Sequence, residues 1–268
     1  ASIVLPRGAY SKDSEIAAWN PQAQEIVSLG VTQATSNLTR VNEQGLIESV
    51  AANVLPRDFV NGGCGEFNIW PQRTNIALQS EDLSNAAYAT VNATVTANAA
   101  VSPDGATTAD ALTDDATSGQ HRVTQEVSVT SGTEYTFSVF VKNVDIDYCY
   151  LLFENAFTQT RFFFNISSGT AITSGGNIED YGNGWYRLSA TLTATSTANG
   201  RFGLNMSDNG TNSTYSGSGS SLYGWGYQVE AGGYVTSYIP TTGSTETRDA
   251  IVVSQTGLSA LLNDSDGG

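Results

Sequence analysis

Tyr135-Thr136-Phe137-Ser138-Val139-Phe140-Val141-Lys142 alternates larger apolar residues with smaller or polar ones along most of its length. Successive side chains of an extended chain point to opposite faces, so Tyr135, Phe137, Val139 and Val141 share one face. That pattern predicts a half-buried strand. The same reading extends outward in both directions. Phe162, Phe164 and Ile166 fall together, as do Tyr186, Leu188, Ala190 and Leu192 against Arg187, Ser189, Thr191 and Thr193. Phe202, Leu204 and Met206 repeat the pattern. Tyr223, Trp225, Tyr227 and Val229 read as one apolar face, which assigns Trp225 and Tyr227 to the core. Residues 90–96 and 122–129 alternate too, and Gly, Asn, Asp and Ser punctuate the runs. Seven or more such strands predict a mainly β fold, an antiparallel two-sheet sandwich over residues 76–245. The absence of a fixed-period repeat argues against a β-helix or a propeller.

The 268 residues suffice for one large or two modest domains. Hydrophobic residues make up 40% and charged ones 14%, a globular composition. Lys and Arg number 11 against 26 Asp and Glu, a net charge of −15. A field of that sign repels phosphate backbones and anionic membranes, so neither nucleic acid nor membrane insertion is expected. No apolar run reaches transmembrane length, and the start does not resemble a signal peptide. Cys64 and Cys149 lack zinc-type spacing and read as two free, mostly buried thiols, with a single disulfide between them as the alternative. Seven Asn-x-Ser/Thr sequons read as chance matches in a chain this rich in Asn, Ser and Thr.

The flanks have another texture. Residues 1–75 read as a small mixed anchoring and assembly region. A helix over 16–20 would stop at Pro21, and a short helix is expected over 22–29 before Gly30. Residues 36–41 and 46–50 around Glu43-Gln44-Gly45 read as a hairpin, and 61–65 as a loop. The region is too short and polar to hold much core alone, so it should pack on the next domain or another subunit. Residues 246–268 read as a linker and the start of a further domain, with a short strand at 250–253 and a helical turn at 256–262.

Two blocks carry a family resemblance. One is Thr39-Arg40-Val41-Asn42-Glu43-Gln44-Gly45-Leu46-Ile47-Glu48 with Leu55-Pro56-Arg57-Asp58-Phe59, Cys64 and Pro71-Gln72-Arg73-Thr74-Asn75. The other runs from Gln79-Ser80-Glu81-Asp82-Leu83-Ser84-Asn85 through Gly182-Asn183-Gly184-Trp185-Tyr186-Arg187 to Gly226-Tyr227-Gln228-Val229-Glu230-Ala231-Gly232 and Ser244. In this order they resemble bacteriophage virion appendages of the tail- or head-fibre type, and the sandwich is similar to jelly-roll carbohydrate-binding modules. The resemblance implies a non-enzymatic structural protein on the virion surface. It implies a homotrimer that contacts other virion proteins through its N-terminal region and presents a surface to host glycans. Phe67-Asn68-Ile69-Trp70 departs from the leucine-rich run usual before the Pro-Gln-Arg. Two other readings stand beside it: an architectural spacer without sugar binding, and an accessory carbohydrate-binding module of a secreted polysaccharide-degrading enzyme.

For sugar binding, exposed aromatics stack on pyranose faces while polar side chains take hydroxyls. Trp185 and Phe140 lie opposite the apolar faces of their strands, Tyr148 and Tyr150 lie opposite Cys149, Leu151 and Phe153, and Arg187 accompanies Trp185. These five form the candidate platform, against the alternative that they pack under loops or on residues 1–75. Asp208, Asn209 and Asn212 have calcium-loop spacing, as do Asp264 and Asp266, so a structural calcium would stiffen those loops; a plain Asx turn is the competing reading. His121, the lone histidine, reads as a surface residue, and no Gly-x-Ser-x-Gly elbow is present. Glu154, Glu179 and Asp180 are the nearest to a hydrolytic carboxylate pair, with Glu179-Asp180 read as a solvated turn.

Overall fold

The computed structural model describes the backbone of residues 10–12, 15–20, 25–34, 37–60 and 65–254, and side chains from residue 31 to residue 253 within those ranges. Every regular element described is a strand. Two six-stranded antiparallel sheets form a jelly-roll-like sandwich. The front sheet runs in the order Ala93–Ala100, Ala109–Asp114, Ser221–Ala231, Glu134–Asn143, Trp185–Thr193 and Gly176–Asp180. The back sheet runs Thr170–Ala171, Thr160–Asn165, Tyr148–Asn155, Ala198–Ser207, Arg122–Val129 and Ala89–Val91.

Between the sheets lies the core that the alternation predicts. Phe137, Val139 and Val141 of the front sheet meet Cys149, Leu151, Phe153, Phe202 and Leu204 of the back sheet. The Phe137 and Phe202 rings sit edge to face with centroids 5.8 Å apart, an orientation favoured by the ring quadrupoles. Cys149 is a free thiol here, and burial pushes its pKa up. Cys64 lies outside the described residues.

One expectation about the core is corrected. Tyr227 and Val229 face it, but Trp225 points out of the opposite side of the front sheet. The register between Glu134–Asn143 and Ser221–Ala231 slips by one residue between Ser138 and Phe140. Gly226 sits there at φ 67°, and a Cβ on it would lie 2.7 Å from the Phe140 ring. Glycine thus permits both the left-handed backbone and the close approach, and the bulge reverses the facing of Trp225.

The blocks that carry the resemblance have structural work. Buried Asn75 donates to Tyr227 O (3.2 Å) and Ile239 O (2.9 Å), and its Oδ1 accepts from Ala77 N (3.1 Å) and Val229 N (3.0 Å). Buried Glu230 accepts from Thr236 N (2.9 Å), Thr236 Oγ1 (2.7 Å) and Gln228 (2.9 Å). Arg248 donates to Ser237 Oγ (2.7 Å) and Pro71 O (2.8 Å), with its pKa lowered to about 10 by burial despite the nearby Glu230 charge. This network lays residues 236–241 across the outer side of the front sheet.

The expected boundaries after 75 and 245 fall at the two sides of one ladder, because Arg73–Asn75 pairs with Glu246–Arg248. Val252–Ser254 then pairs with Glu25–Thr32, within a four-stranded sheet that includes Glu15–Asn20 and Tyr10–Lys12. Residues 16–20 and 25–29, read as helix, are therefore strand, and residues 22–24 lie outside the described residues. Cross-strand pairing overrides a weak local helix preference, and Ile26, Val27 and Val31 suit a pleated backbone. The expected hairpin forms, with Leu38 opposite Val50 and Val41 opposite Ile47. Residues 256–262 lie outside the described residues.

Candidate functional site

The hairpin of residues 38–50 settles the fate of the expected platform. Val41 and Ile47 pack on Phe140, Trp185, Trp225 and Tyr238 in a second apolar cluster on the outer side of the front sheet. Phe140 is 0% exposed and Trp185 3%, so neither can stack on a sugar. Phe140 stands edge to face with Tyr181 and Trp225 at centroid distances of 4.8 and 5.5 Å, and Trp185 Nε1 donates to Val101 O at 3.2 Å. The exposed platform is thus corrected to a junction between two parts of one chain. The physical reason is area: aromatics opposite the main core still bury when another element covers that face. Tyr150 is buried as well, and Tyr148 partly so; both lie on the back sheet, away from Phe140, Trp185 and Arg187.

What remains open at the junction is a cleft of about 470 Å³. Its walls come from the hairpins of residues 38–68 on one side and from the Gly176–Asp180 and Trp185–Thr193 strands and residues 235–238 on the other. Asp58 stitches the first wall, accepting from Val41 N (2.8 Å) and Asn68 Nδ2 (2.9 Å). Arg187 anchors the second, donating to Thr236 O (2.8 Å) and Ser138 Oγ (3.1 Å) with its guanidinium 5.1 Å from the Phe140 ring centroid. Glu179 stands opposite Arg187 in the ladder and lines the cleft with Tyr181 and Trp70. Glu179 is therefore part of a strand and not of a solvated turn, whereas Asp180 is exposed and caps the turn through Gly182 N.

Burial raises the Asp58 and Glu179 carboxyls above their ordinary values; hydrogen bonds and the Arg187 charge work the other way. Burial also pushes the Tyr181 phenol up to about 12. Two buried donors on residues that line this cleft have no partner: Trp70 Nε1 and Arg187 Nε. Buried polar atoms are ordinarily satisfied, so these two leave unused hydrogen-bonding capacity on residues that line the cleft.

The raised Glu179 carboxyl has a stability consequence. A carboxyl whose folded pKa exceeds its unfolded one contributes fully below the unfolded value, and that contribution is lost as pH rises through the folded value. Glu179→Gln cannot ionise, so it should gain stability relative to the native chain as pH climbs through that window. Urea midpoints of both chains across pH check this; a constant difference would refute it.

The other sequence candidates resolve as follows. Asp208, Asn209 and Asn212 are exposed, and Asn209 Oδ1 accepts from Thr211 N, Thr211 Oγ1 and Asn212 N within 3.0 Å. That oxygen closes its own loop as an Asx turn, and among the described residues no three His, Cys, Asp or Glu side chains converge as a metal set. Asp264 and Asp266 lie outside the described residues. His121 is corrected from surface to interior: it is 0% exposed, with ring nitrogens 2.7 Å from Asn92 O and 3.2 Å from Tyr215 O. Glu154 holds an ion pair with Arg201 at 2.7 Å on the back sheet, far in the fold from Glu179 on the front. Trp70, Asp58 and Tyr181 were missed. The departure at Phe67-Asn68-Ile69-Trp70 was the one sequence signal that pointed to this place.

No protein-family model matches the chain, and no curated protein matches it. Among solved structures, one match is the carbohydrate-binding module and glycoside hydrolase pair of Clostridium thermocellum endo-1,4-beta-D-xylanase 10B complexed with xylohexaose. Identity is 15% and the TM-score 0.37; the match covers 63% of this chain and 29% of that one.

Proposed function

We propose that the chain is a sugar-binding β-sandwich module whose cleft, at the junction of the N-terminal hairpins and the front sheet, takes a pyranose ring. The observation that carries the reading is the pair of unanswered donors, Trp70 Nε1 and Arg187 Nε, on residues that line the cleft together with Glu179. Indole and phenol walls with a few convergent donors and acceptors suit a polyhydroxylated ring. A binding role is favoured over hydrolysis because Asp58 spends both oxygens on the hairpin wall, whereas two-carboxylate hydrolysis needs two acidic groups free to act.

The test is titration of the folded chain with a panel of neutral oligosaccharides, with Trp70→Phe and Glu179→Gln alongside. Trp70→Phe keeps an aromatic wall but removes the donor, and should weaken binding about tenfold, about 1.4 kcal/mol. Equal affinity in both variants would refute the assignment. The biological setting we propose is a virion appendage, trimeric and exposed to host glycans, which rests on the two sequence blocks. Mass measurement in solution and immunogold labelling of particles test it. The burial of Phe140 and Trp185 also favours a second reading, a spacer that binds no sugar. A folded chain silent across the panel would decide for it.

A further inference from the structure

On the outer face of the back sheet, Phe163, Tyr150, Asn205 and Arg122 stand opposite one another on four neighbouring strands, forming one transverse row. The next row is Arg161, Leu152, Gly203 and Thr124, and the third is Glu154, Arg201 and Glu126. The third row is matched within itself. Arg201 lies 2.6 Å from Glu126 and 2.7 Å from Glu154, and Gln159 also donates to Glu154. Burial opposes ionisation of Glu154, yet the bonds from Arg201 and Gln159 and the Arg122 charge hold its pKa below the usual value.

The first row is not matched. Asn205 is 0% exposed, and neither its Oδ1 nor its Nδ2 has a partner. Arg122 Nε and Arg161 Nε are also buried without partners. Arg122 ends this row and Arg161 stands one row along on the strand of Phe163; burial raises the Tyr150 phenol pKa, and the charges of both arginines act against it. Among the described residues Arg161 forms no ion pair, and Arg122 reaches Glu154 only at 3.7 Å. The amide lies over Gly203, where a Cβ would come within 2.8 Å of Asn205 Nδ2. A larger residue at 203 would displace it.

We propose that this row is a second, independent binding site, for the carboxylate of a sugar residue in a uronic-acid polysaccharide. Two guanidinium Nε donors and Asn205 Nδ2 fit the oxygens of a carboxylate, which guanidinium groups grip through paired N–H bonds. Asn205 Oδ1 needs a donor beside that carboxylate, and a ring hydroxyl supplies one at a fixed distance. An aspartate or glutamate side chain carries no such hydroxyl, which disfavours an acidic peptide as the ligand. Arg161, which forms no ion pair among the described residues, and Arg122, whose Glu154 partner is shared with Arg201, leave positive charge here in a chain of net charge −15, so the site selects for an anion against the overall field. Tyr148, only partly buried, stands one step further along the Tyr150 strand.

Calorimetric titration of the full chain at low salt, with oligogalacturonate and oligomannuronate, tests the proposal. Carboxyl-reduced forms of both and polyglutamate serve as comparisons. At least one uronate should bind, its reduced form at least tenfold more weakly, and added salt should weaken the uronate. Arg161→Gln and Asn205→Leu should each lower affinity at least tenfold. Asn205→Leu exchanges an unpaired amide for an apolar group of similar size, so its urea midpoint should not fall. Absence of uronate binding, equal binding of the reduced forms, tighter binding of polyglutamate, or unchanged affinity in the two variants would overturn the proposal. A clear drop in the urea midpoint of Asn205→Leu would do so too, since it would mean the amide is already paired. The row and the cleft lie on opposite sheets, so failure at one is read separately from failure at the other.

Discussion

Phe140→Ala is expected to lower the unfolding free energy by about 3–5 kcal/mol, the range for deleting a fully buried phenylalanine. The ring is enclosed by Tyr181, Trp225 and Tyr238, and the Arg187 guanidinium lies over it. Its loss would open a cavity where the 38–50 hairpin meets the front sheet. The effect should therefore be felt first as loosening of that hairpin, read as faster hydrogen exchange at Val41 and Ile47 than at Leu151 or Leu204. Equilibrium denaturation gives the magnitude; a loss below about 1 kcal/mol would mean the cluster is solvated and the junction open. A Trp185→Ala change is expected to act the same way, as a stability variant and not as a loss of sugar stacking.

Asn75→Ala is the second large effect, expected at about 3–5 kcal/mol. The change strands four backbone groups in the interior: the N–H groups of Ala77 and Val229 and the carbonyls of Tyr227 and Ile239. Each unpaired buried group costs about 1–3 kcal/mol, and partial relaxation keeps the total below the simple sum. Thr74→Ala is the control, because Thr74 is only partly buried and its hydroxyl meets only Thr247 Oγ1, at 2.8 Å. It should cost less than about 1 kcal/mol. Comparable losses in the two variants, read from urea midpoints, would show that Asn75 does not hold the front sheet to residues 236–241.

These two positions explain why the cleft has the shape it has. Asn75 and Arg248 tie the residues just before and just after the sandwich across the front sheet, and this places Thr236, Ser237 and Tyr238 along one wall. The Phe140 cluster seats the 38–50 hairpin as the other wall. Glu179 and Arg187 then face a gap that neither the sandwich nor the hairpins would enclose alone.

The amino-acid sequence by itself determined the sandwich. Alternation at Tyr135, Phe137, Val139 and Val141, and again at Phe202, Leu204 and Met206, has a period of two, and burial of one face follows directly from it. It also determined the 38–50 hairpin, where a tight turn joins two extended runs. It could not determine which side of a sheet stays open. Phe140 and Trp185 looked like surface aromatics because periodicity reports opposition to the core, not exposure to water. Trp225 was assigned to the wrong face because a one-residue bulge at Gly226 inverts every facing beyond it. The strands at 15–20 and 25–32 were misread because a helix preference read along one short stretch is weak, and the pairing of residues 16–20 with residues 25–29 overrides it. The cleft and the Asn205 row were decided by the tertiary structure alone. Each is defined by atoms that lack a partner, and an unpaired atom has no pattern along the chain: it exists only once everything around it has been placed.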